Sequence, residues 1–274
     1  MNKRGTKGLN SLFFIALTVV IFGFFYYLYS FKPLIILYLP FLLQGTVATI
    51  IISLVSIVLA TLLGFGGALG RLSSYVPIRW LATLYVEVIR GTPVLVQLLI
   101  WYYGFGNLLS SLGFNPYTIA FQLMTVLQNN SLVPDSFNGF FYGVIGLSFN
   151  YGAYLTEVFR SGIESVPRGQ SEAALSLGFT PWHTLRRIVL PQAIRLTIPP
   201  FTNYFITLIQ DSALLSTFAI TELEQQTYAL AFPQVDANKK LFVFVYGALF
   251  YLIICYPLSL LARYLERRMA RGYL

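Results

Sequence analysis

Charge is what this sequence has least of. Only 10% of its 274 residues are Asp, Glu, Lys or Arg, where an ordinary soluble domain carries about 25%. A chain so poor in charge cannot cover a globule with polar surface. Cysteine is nearly absent as well. Cys255 stands alone, so no internal disulfide and no cysteine metal cluster can form. Inside an apolar run it reads as a small packing residue. His183 is the single histidine and lies among arginines and a Trp, a poor setting for a Ser-His-Asp site. No Gly-x-x-x-x-Gly-Lys-Ser/Thr loop is present, which excludes nucleotide binding by that route. An enzyme finds little support in these absences. No catalytic residue, metal site or chain-bound cofactor is expected.

What the chain does have is apolar length: hydrophobic residues make up 57% of it. A helix needs about 20 mainly apolar residues to cross a bilayer. Six such runs are read at 12–30, 46–69, 93–110, 139–161, 198–220 and 241–263. The runs do not alternate, so a membrane barrel is excluded and helices are expected. The fold class is therefore an all-α integral membrane protein with six transmembrane helices. The net charge of +8 follows topology and implies no nucleic-acid partner. With the N-terminus inside, Lys3, Arg4, Lys7, Arg71, Arg79, Arg160, Arg168, Arg186, Arg187, Arg195, Arg263, Arg267, Arg268 and Arg271 all fall inside. Only Lys32, Lys239 and Lys240 fall outside, and Arg90 sits at a span entrance. Both termini are thus expected in the cytoplasm. Residues 1–30 resemble a signal peptide only in their basic start. The apolar run is too long, and Tyr26, Tyr27, Tyr29 and Phe31 stand where small residues would mark cleavage.

The second run is rich in small residues: Ala60, Gly64, Gly66, Gly67 and Gly70. Such spacing lets helix backbones approach closely in lipid. Between Ile78 and Arg90, the polar Arg79, Thr83, Glu87 and Arg90 share one helical face, as in a short interfacial helix. Gly91 should break it, with Thr92 as cap and Pro93 opening the next span. Asn115 and Pro116 look like a helix start in an external segment, 111–138, with a helix over Tyr117 to Gln128. Thr221 and Glu224 have capping-box spacing for a short helix to about Ala231. No linker or repeat divides the chain. An N-terminal tail, first helix and external link occupy 1–43, a single transmembrane domain 44–265, and a tail 266–274.

The interval 164–195 reads ESVPRGQSEAALSLGFTPWHTLRRIVLPQAIR. Gln170 to Leu177 is a short helix, and Gly178 is the residue expected just past its end. Thr180 and Pro181 cap and start a second helix with an apolar face (Leu185, Ile188, Val189) and a basic one (Arg186, Arg187), which Pro191 should stop. Within the spans, Asn150, Tyr154, Glu157 and Ser161 share one face. So do Asn203, Thr207, Gln210 and Thr217, with Asp211 beside them. A charge at a helix centre costs about 2.5–3.5 kcal/mol on insertion scales, so it faces a cavity or a partner. The two stripes are candidates for a solute path. Ion pairs, Glu157 with Arg160 and Glu87 with Arg90, are the competing structural reading.

Glu172-Ala173-Ala174, Gly178, then Ile188-x-Leu190-Pro191 resemble the EAA motif of the binding-protein-dependent permeases of ATP-binding-cassette importers. Glu87-x-x-Arg90-Gly91-Thr92-Pro93-x-Leu95-Val96-Gln97 is similar to the entry motif of that family's polar amino acid branch. Ala153-Tyr154-x-x-Glu157-x-x-Arg160-x-Gly162-Ile163, Pro199-Pro200-x-x-Asn203 and Asp211-Ser212-x-Leu214-Leu215-Ser216 resemble the same branch. The resemblance covers roughly 44–265. It implies a five-helix importer core plus one added N-terminal helix, in the bacterial inner membrane, moving a polar amino acid by alternating access. It implies two ATP-binding subunits that carry ATP and Mg and dock on the 164–195 loop. It also implies a second permease chain, identical or paralogous, and an extracytoplasmic amino-acid-binding protein. The fifth span departs from the branch: Gln210-Asp211-Ser212-Ala213-Leu214 stands where Lys-Asp-Thr-Ser-Leu is common. Cystine or an opine are alternative cargoes, and a stand-alone secondary transporter is a rival class that leaves the EAA spacing unexplained.

Overall fold

The computed structural model describes residues 3–123 and 137–270, and every described element is helical. The order is α1 (Lys3–Ser30), α2 (Lys32–Arg71), α3 (Val76–Arg90), α4 (Val94–Leu99), α5 (Gly106–Ser111), α6 (Pro116–Leu123), α7 (Phe137–Glu164), α8 (Arg168–Ser176), α9 (Pro181–Thr184), α10 (Leu190–Asp211), α11 (Leu223–Ala231) and α12 (Ala237–Ala270). A π-helical stretch, Ile100–Phe105, joins α4 to α5, and another, Leu185–Val189, joins α9 to α10. A 3-10 helix, Ser212–Phe218, continues α10. Helices Lys32–Arg71, Val94–Ser111 and Ala237–Met269 are long and apolar enough to cross a membrane. A fourth candidate arises if the bent pair Pro181–Phe218 and Leu223–Ala231 is taken as one span.

The centre of the molecule is the packing of α2 on α7. The small residues of α2 explain it. A Cβ on Gly64 would lie 2.6 Å from Leu155 Cβ, and one on Gly67 would land on the Thr156 side chain. Gly70 faces Ala82 of α3 in the same way, whereas Gly66 meets nothing. Around this contact Ile52, Leu98, Leu147, Tyr151, Leu155, Leu208 and Leu215 form the main core. Helix α7 is 28 residues long but comparatively polar. Its Ser148, Asn150 and Thr156 are turned into the bundle and buried. A helix that faces protein on its polar side can cross lipid with less average hydropathy.

A second core ties the ends of α2 and α12 through Leu42, Leu223, Phe242 and Tyr246, with Tyr27, Leu28 and Phe31 packed against it. Helix α11 sits between α2 and α12 because glycines let it approach. A Cβ on Gly45 would be 2.8 Å from Leu223 Cα, and one on Gly247 would strike Thr227. The N-cap of α11 is Glu222, not the expected Thr221. Its carboxylate accepts from the Glu224 and Gln225 backbone N–H groups at 2.9 and 2.6 Å, and from the hydroxyls of Tyr251 (3.0 Å) and Thr49 (3.4 Å). A carboxylate that gathers four donors outcompetes a neighbouring hydroxyl for the cap.

Three further local expectations are corrected. Helix α2 does not begin near 46 but at Lys32, because Pro33 in its first turn and Pro40 inside it do not stop the apolar sequence from coiling. Helix α3 does end at Arg90 before Gly91, yet Thr92 caps nothing. Its hydroxyl donates to Val88 O at 3.0 Å and accepts from Gln97 Nε2 at 2.9 Å, and Pro93 occupies the cap position. Pro191 does not stop the loop's second helix. The π stretch before it shifts the hydrogen-bond register, and Pro191 falls in the first turn of α10, where its missing N–H costs nothing. Asn115 behaves as expected: its Oδ1 accepts from the Tyr117 and Thr118 backbones at 3.1 and 3.3 Å to open α6. The remainder of the helix expected over Tyr117 to Gln128 lies outside the described residues.

Candidate functional site

The 164–195 segment folds as an elbow projecting from one end of the bundle. Val166, Val189 and Ala193 form a small core with Ile163 and Leu185, which holds the elbow to the ends of α7 and α10. Gln192 Nε2 donates to Gln170 Oε1 at 2.6 Å and fastens α8 to the root of α10. Helix α8 turns Glu172 and Ala173 outward and buries Ala174. Gly178 then takes φ +86°, a left-handed conformation that costs side-chain-bearing residues about 1–2 kcal/mol. Gly178 N donates to Leu175 O at 3.0 Å and Phe179 N to Ala174 O at 3.1 Å, the paired bonds of a Schellman stop. Thr180 Oγ1 accepts from His183 N at 3.3 Å, and Pro181 opens α9.

Leu177 is 80% and Trp182 60% exposed at the tip of the elbow. Ile188 and Leu190 are half-buried, and Pro191 is exposed. A cavity of about 680 Å³ lies beneath, lined among others by Val166, Leu175, Thr184 and Leu185. The assembly is a rigid knob with an outward carboxylate and apolar tips. That suits docking.

A second group of polar residues lies where α3, α7 and α10 meet. Asp211 is the last residue of α10 before the 3-10 helix. Its Oδ2 accepts from the buried Tyr151 hydroxyl at 2.7 Å. The Tyr151, Tyr154 and Tyr204 ring centroids are 5.4–6.5 Å apart. The Arg90 guanidinium lies 5.5 Å from the Tyr154 ring centre. Asn203, Thr207 and Gln210 are exposed along α10. Asn150 is buried, and its amide donates to Gln97 Oε1 at 3.0 Å. Gln97 Nε2 in turn donates to Ile89 O and Thr92 O, at 2.7 and 3.0 Å. The Gly91–Pro93 break is thereby pinned to α7.

Glu157 pairs with Arg71 of α2 at 2.5 Å and with Arg160, which also reaches Glu164. Glu87 and Arg90 form no ion pair among the described residues; both are exposed, and Arg90 goes to the Tyr154 ring instead. Nearby, the Tyr85 hydroxyl donates to Phe149 O at 2.6 Å, and its burial raises the phenol above its usual range. The expected stripes thus meet through Tyr151 and Tyr204, two residues that sequence reasoning passed over. Tyr151 falls three residues before Tyr154, a helical neighbour, so spacing could have found it. The pairing of Arg71 with Glu157 and of Gln97 with Asn150 carries no local signal.

Residues 61–271 match the family model described as binding-protein-dependent transport system inner membrane component. The chain is similar to the L-cystine transport system permease protein TcyB of Bacillus subtilis (strain 168), 38% identical over 85% of this chain and 88% of the relative. It is 34% identical to the glutamate/aspartate import permease protein GltK of Escherichia coli O157:H7, over 85% of this chain and 95% of the relative. Among solved structures it is similar to a crystal structure of an amino acid ABC transporter with histidines. That likeness has a TM-score of 0.69 and 32% identity, and covers 85% of this chain and 96% of the other.

Proposed function

Since the chain belongs to the binding-protein-dependent transport system inner membrane components, we propose that it carries a polar amino acid through the inner membrane while the 164–195 elbow docks on a separate ATPase. The chain is an amino acid ABC importer permease subunit, a transport component and not an enzyme. ATP and Mg are held by two partner ATPases, so this chain needs no cofactor of its own. A second permease chain, identical or paralogous, and an extracytoplasmic binding protein complete the machine. Six crossings with both termini cytoplasmic follow from the distribution of Lys and Arg, with α1 and α7 joining the more apolar spans.

The elbow's geometry carries this reading. Glu172 and Ala173 face outward on α8, which a left-handed glycine ends just before a threonine cap opens α9, with Leu177 and Trp182 at the tip of the elbow. The docking residues are then Glu172, Ala173, Ala174, Gly178, Ile188, Leu190 and Pro191. Ala174, Ile188 and Leu190 act from within and hold the shape. The entry residues Glu87, Arg90, Gly91, Thr92 and Pro93 set the break between α3 and α4. The path runs along Asn203, Thr207, Gln210, Asp211 and Tyr154. Asn150 and Glu157 border it, with their polar groups committed to Gln97 and to Arg71 and Arg160. Exposed polar groups on a membrane helix need water or another chain beside them. The open face of α10 meets that need if two copies enclose a path.

In the reconstituted complex, Glu172→Lys should leave insertion and assembly intact and abolish substrate-stimulated ATP hydrolysis. Normal transport by that variant would refute the docking assignment. A second cargo reading, cystine, is favoured by the 38% identity to the L-cystine permease. ATPase stimulation across a panel of amino acids that includes cystine separates the two.

A further inference from the structure

We infer that a groove bounded by α2, α7 and α10 seats one acyl chain of an anionic phospholipid from the cytoplasmic leaflet, with the headgroup phosphate at Arg186. The inference rests on the cytoplasmic placement of the elbow proposed above.

The groove is a cavity of about 420 Å³. On α10 it runs along Leu190, Ala193, Ile194, Thr197, Ile198 and Phe201. Steps of three and four residues keep these on one helical face. Leu62 and Phe65 of α2 and Phe159 of α7 wall the other sides, with the two phenyl rings edge-on at 6.4 Å. No side chain in the lining is charged. Thr61 and Thr197 are its polar members, and each hydroxyl is spent on its own helix. They donate to Ile57 O at 2.6 Å and to Ile194 O at 3.0 Å. A polar amino acid would lose its hydrogen bonds to water there and find none in return. The groove is therefore no branch of the solute path, and it calls for an apolar occupant.

Its length and its mouth say which one. From Leu190 to Phe201 the helix rises about 16 Å at about 1.5 Å per residue. A bilayer has a hydrocarbon core of about 30 Å, so one leaflet supplies about 15 Å. Leu62 and Ile194 are 66% and 54% exposed, so the groove opens sideways between apolar side chains, onto lipid.

At the elbow end the same face of the helix ends in a cation. Arg186 stands four residues before Leu190, one turn back in the wider π winding of Leu185–Val189. Arg187 lies beside it. Both are exposed, and among the described residues neither pairs with an Asp or Glu. Basic sites between membrane helices on the cytoplasmic side attract anionic headgroups. Ala193 and Ile163 line the groove and also belong to the small core that holds the elbow. An occupied groove thus stiffens the root of the elbow.

The test is native mass spectrometry of the detergent-purified permease–ATPase complex, titrated with phosphatidylglycerol and with phosphatidylcholine. Phosphatidylglycerol should bind about fivefold more tightly or better. Arg186→Gln should weaken it by about fivefold and leave phosphatidylcholine unchanged. Ile194→Trp puts a large ring across the mouth and should remove one retained lipid per permease chain. Equal binding of the two lipids, unchanged phosphatidylglycerol affinity in Arg186→Gln, or a full lipid count in Ile194→Trp would each overturn the seat. Competition by glycerol phosphate, which has the anion without the chain, would overturn it too. If Ile194→Trp fails to assemble, Leu62→Trp on the facing wall decides by the same count. A disulfide between two copies of Ile194→Cys, in a Cys255→Ala background, would put a second permease chain in the groove and sink the lipid.

Placement of the elbow is read separately. Ser176→Cys in the same Cys255→Ala background should react with a membrane-impermeant maleimide in inside-out vesicles only. Labelling confined to right-side-out vesicles refutes the placement. Correct labelling with no lipid preference refutes only the seat.

Discussion

At the residue scale, the contacts that matter most are those a local pattern can only half announce. The run of small residues in α2 shows that some helix must come close, and Gly64 and Gly67 each meet one, at Leu155 and Thr156 of α7. Gly67→Val should therefore destabilise the complex by about 1–3 kcal/mol through overpacking, read as an earlier thermal transition in detergent. Gly66→Ala, with nothing within 4 Å, should leave that transition unmoved. The Glu157 pairs teach the opposite lesson. Arg160 sits one helical turn from Glu157 and is legible in the chain. Arg71 lies 86 residues away and becomes a partner only once α2 and α7 are packed. Glu157→Ala strands two arginines and should destabilise the assembly more than Arg71→Ala, which leaves Glu157 with Arg160. Thermal unfolding of both variants checks that order. The bonds of Tyr151 to Asp211 and of Gln97 to Asn150 escaped sequence reasoning for the same reason, since each partner belongs to another helix.

At the element scale, helix ends were readable wherever one residue decides them. Gly178 was one such place. Open space surrounds it, so a side chain there meets strain in the backbone alone. Gly178→Val should distort the elbow and reduce substrate-stimulated ATP hydrolysis, while Gly178→Asn, which tolerates the left-handed region, should keep most of it. Helix ends were misread where several groups compete. Thr221 lost the α11 cap to Glu222 because Thr49 and Tyr251, distant in sequence, enlarge what that carboxylate can gain. Pro191 was misread because a π stretch has no signature in hydrophobic spacing. The start of α2 was missed because apolar sequence alone does not tell a membrane-crossing turn from its extension beyond the lipid.

At the scale of the whole molecule, the all-helical architecture was plain from the runs of apolar residues and the scarcity of charge. The central pairing of α2 with α7 was not, since no spacing names a partner. Helix α1 stands apart: Phe13, Phe14, Val19, Val20 and Phe22 are exposed, and nothing lies within 4 Å of a Cβ on Gly23. Among the described residues it meets the core through Tyr27 and Leu28, with Phe31 just past its end. Removing residues 1–25 should therefore preserve assembly and substrate-stimulated ATP hydrolysis in reconstituted vesicles; loss of both would assign that helix a part in the machine. The unbroken helical course from Pro181 through the π stretch to Asp211 has a mechanical meaning. Thirty-one residues at 1.5 Å each make a strut of about 45 Å. One end lies at the tip where a motor would grip, and the other at the acidic residue beside the tyrosines. No loop interrupts it, so a tilt imposed below arrives above as leverage, with little slack to absorb the stroke.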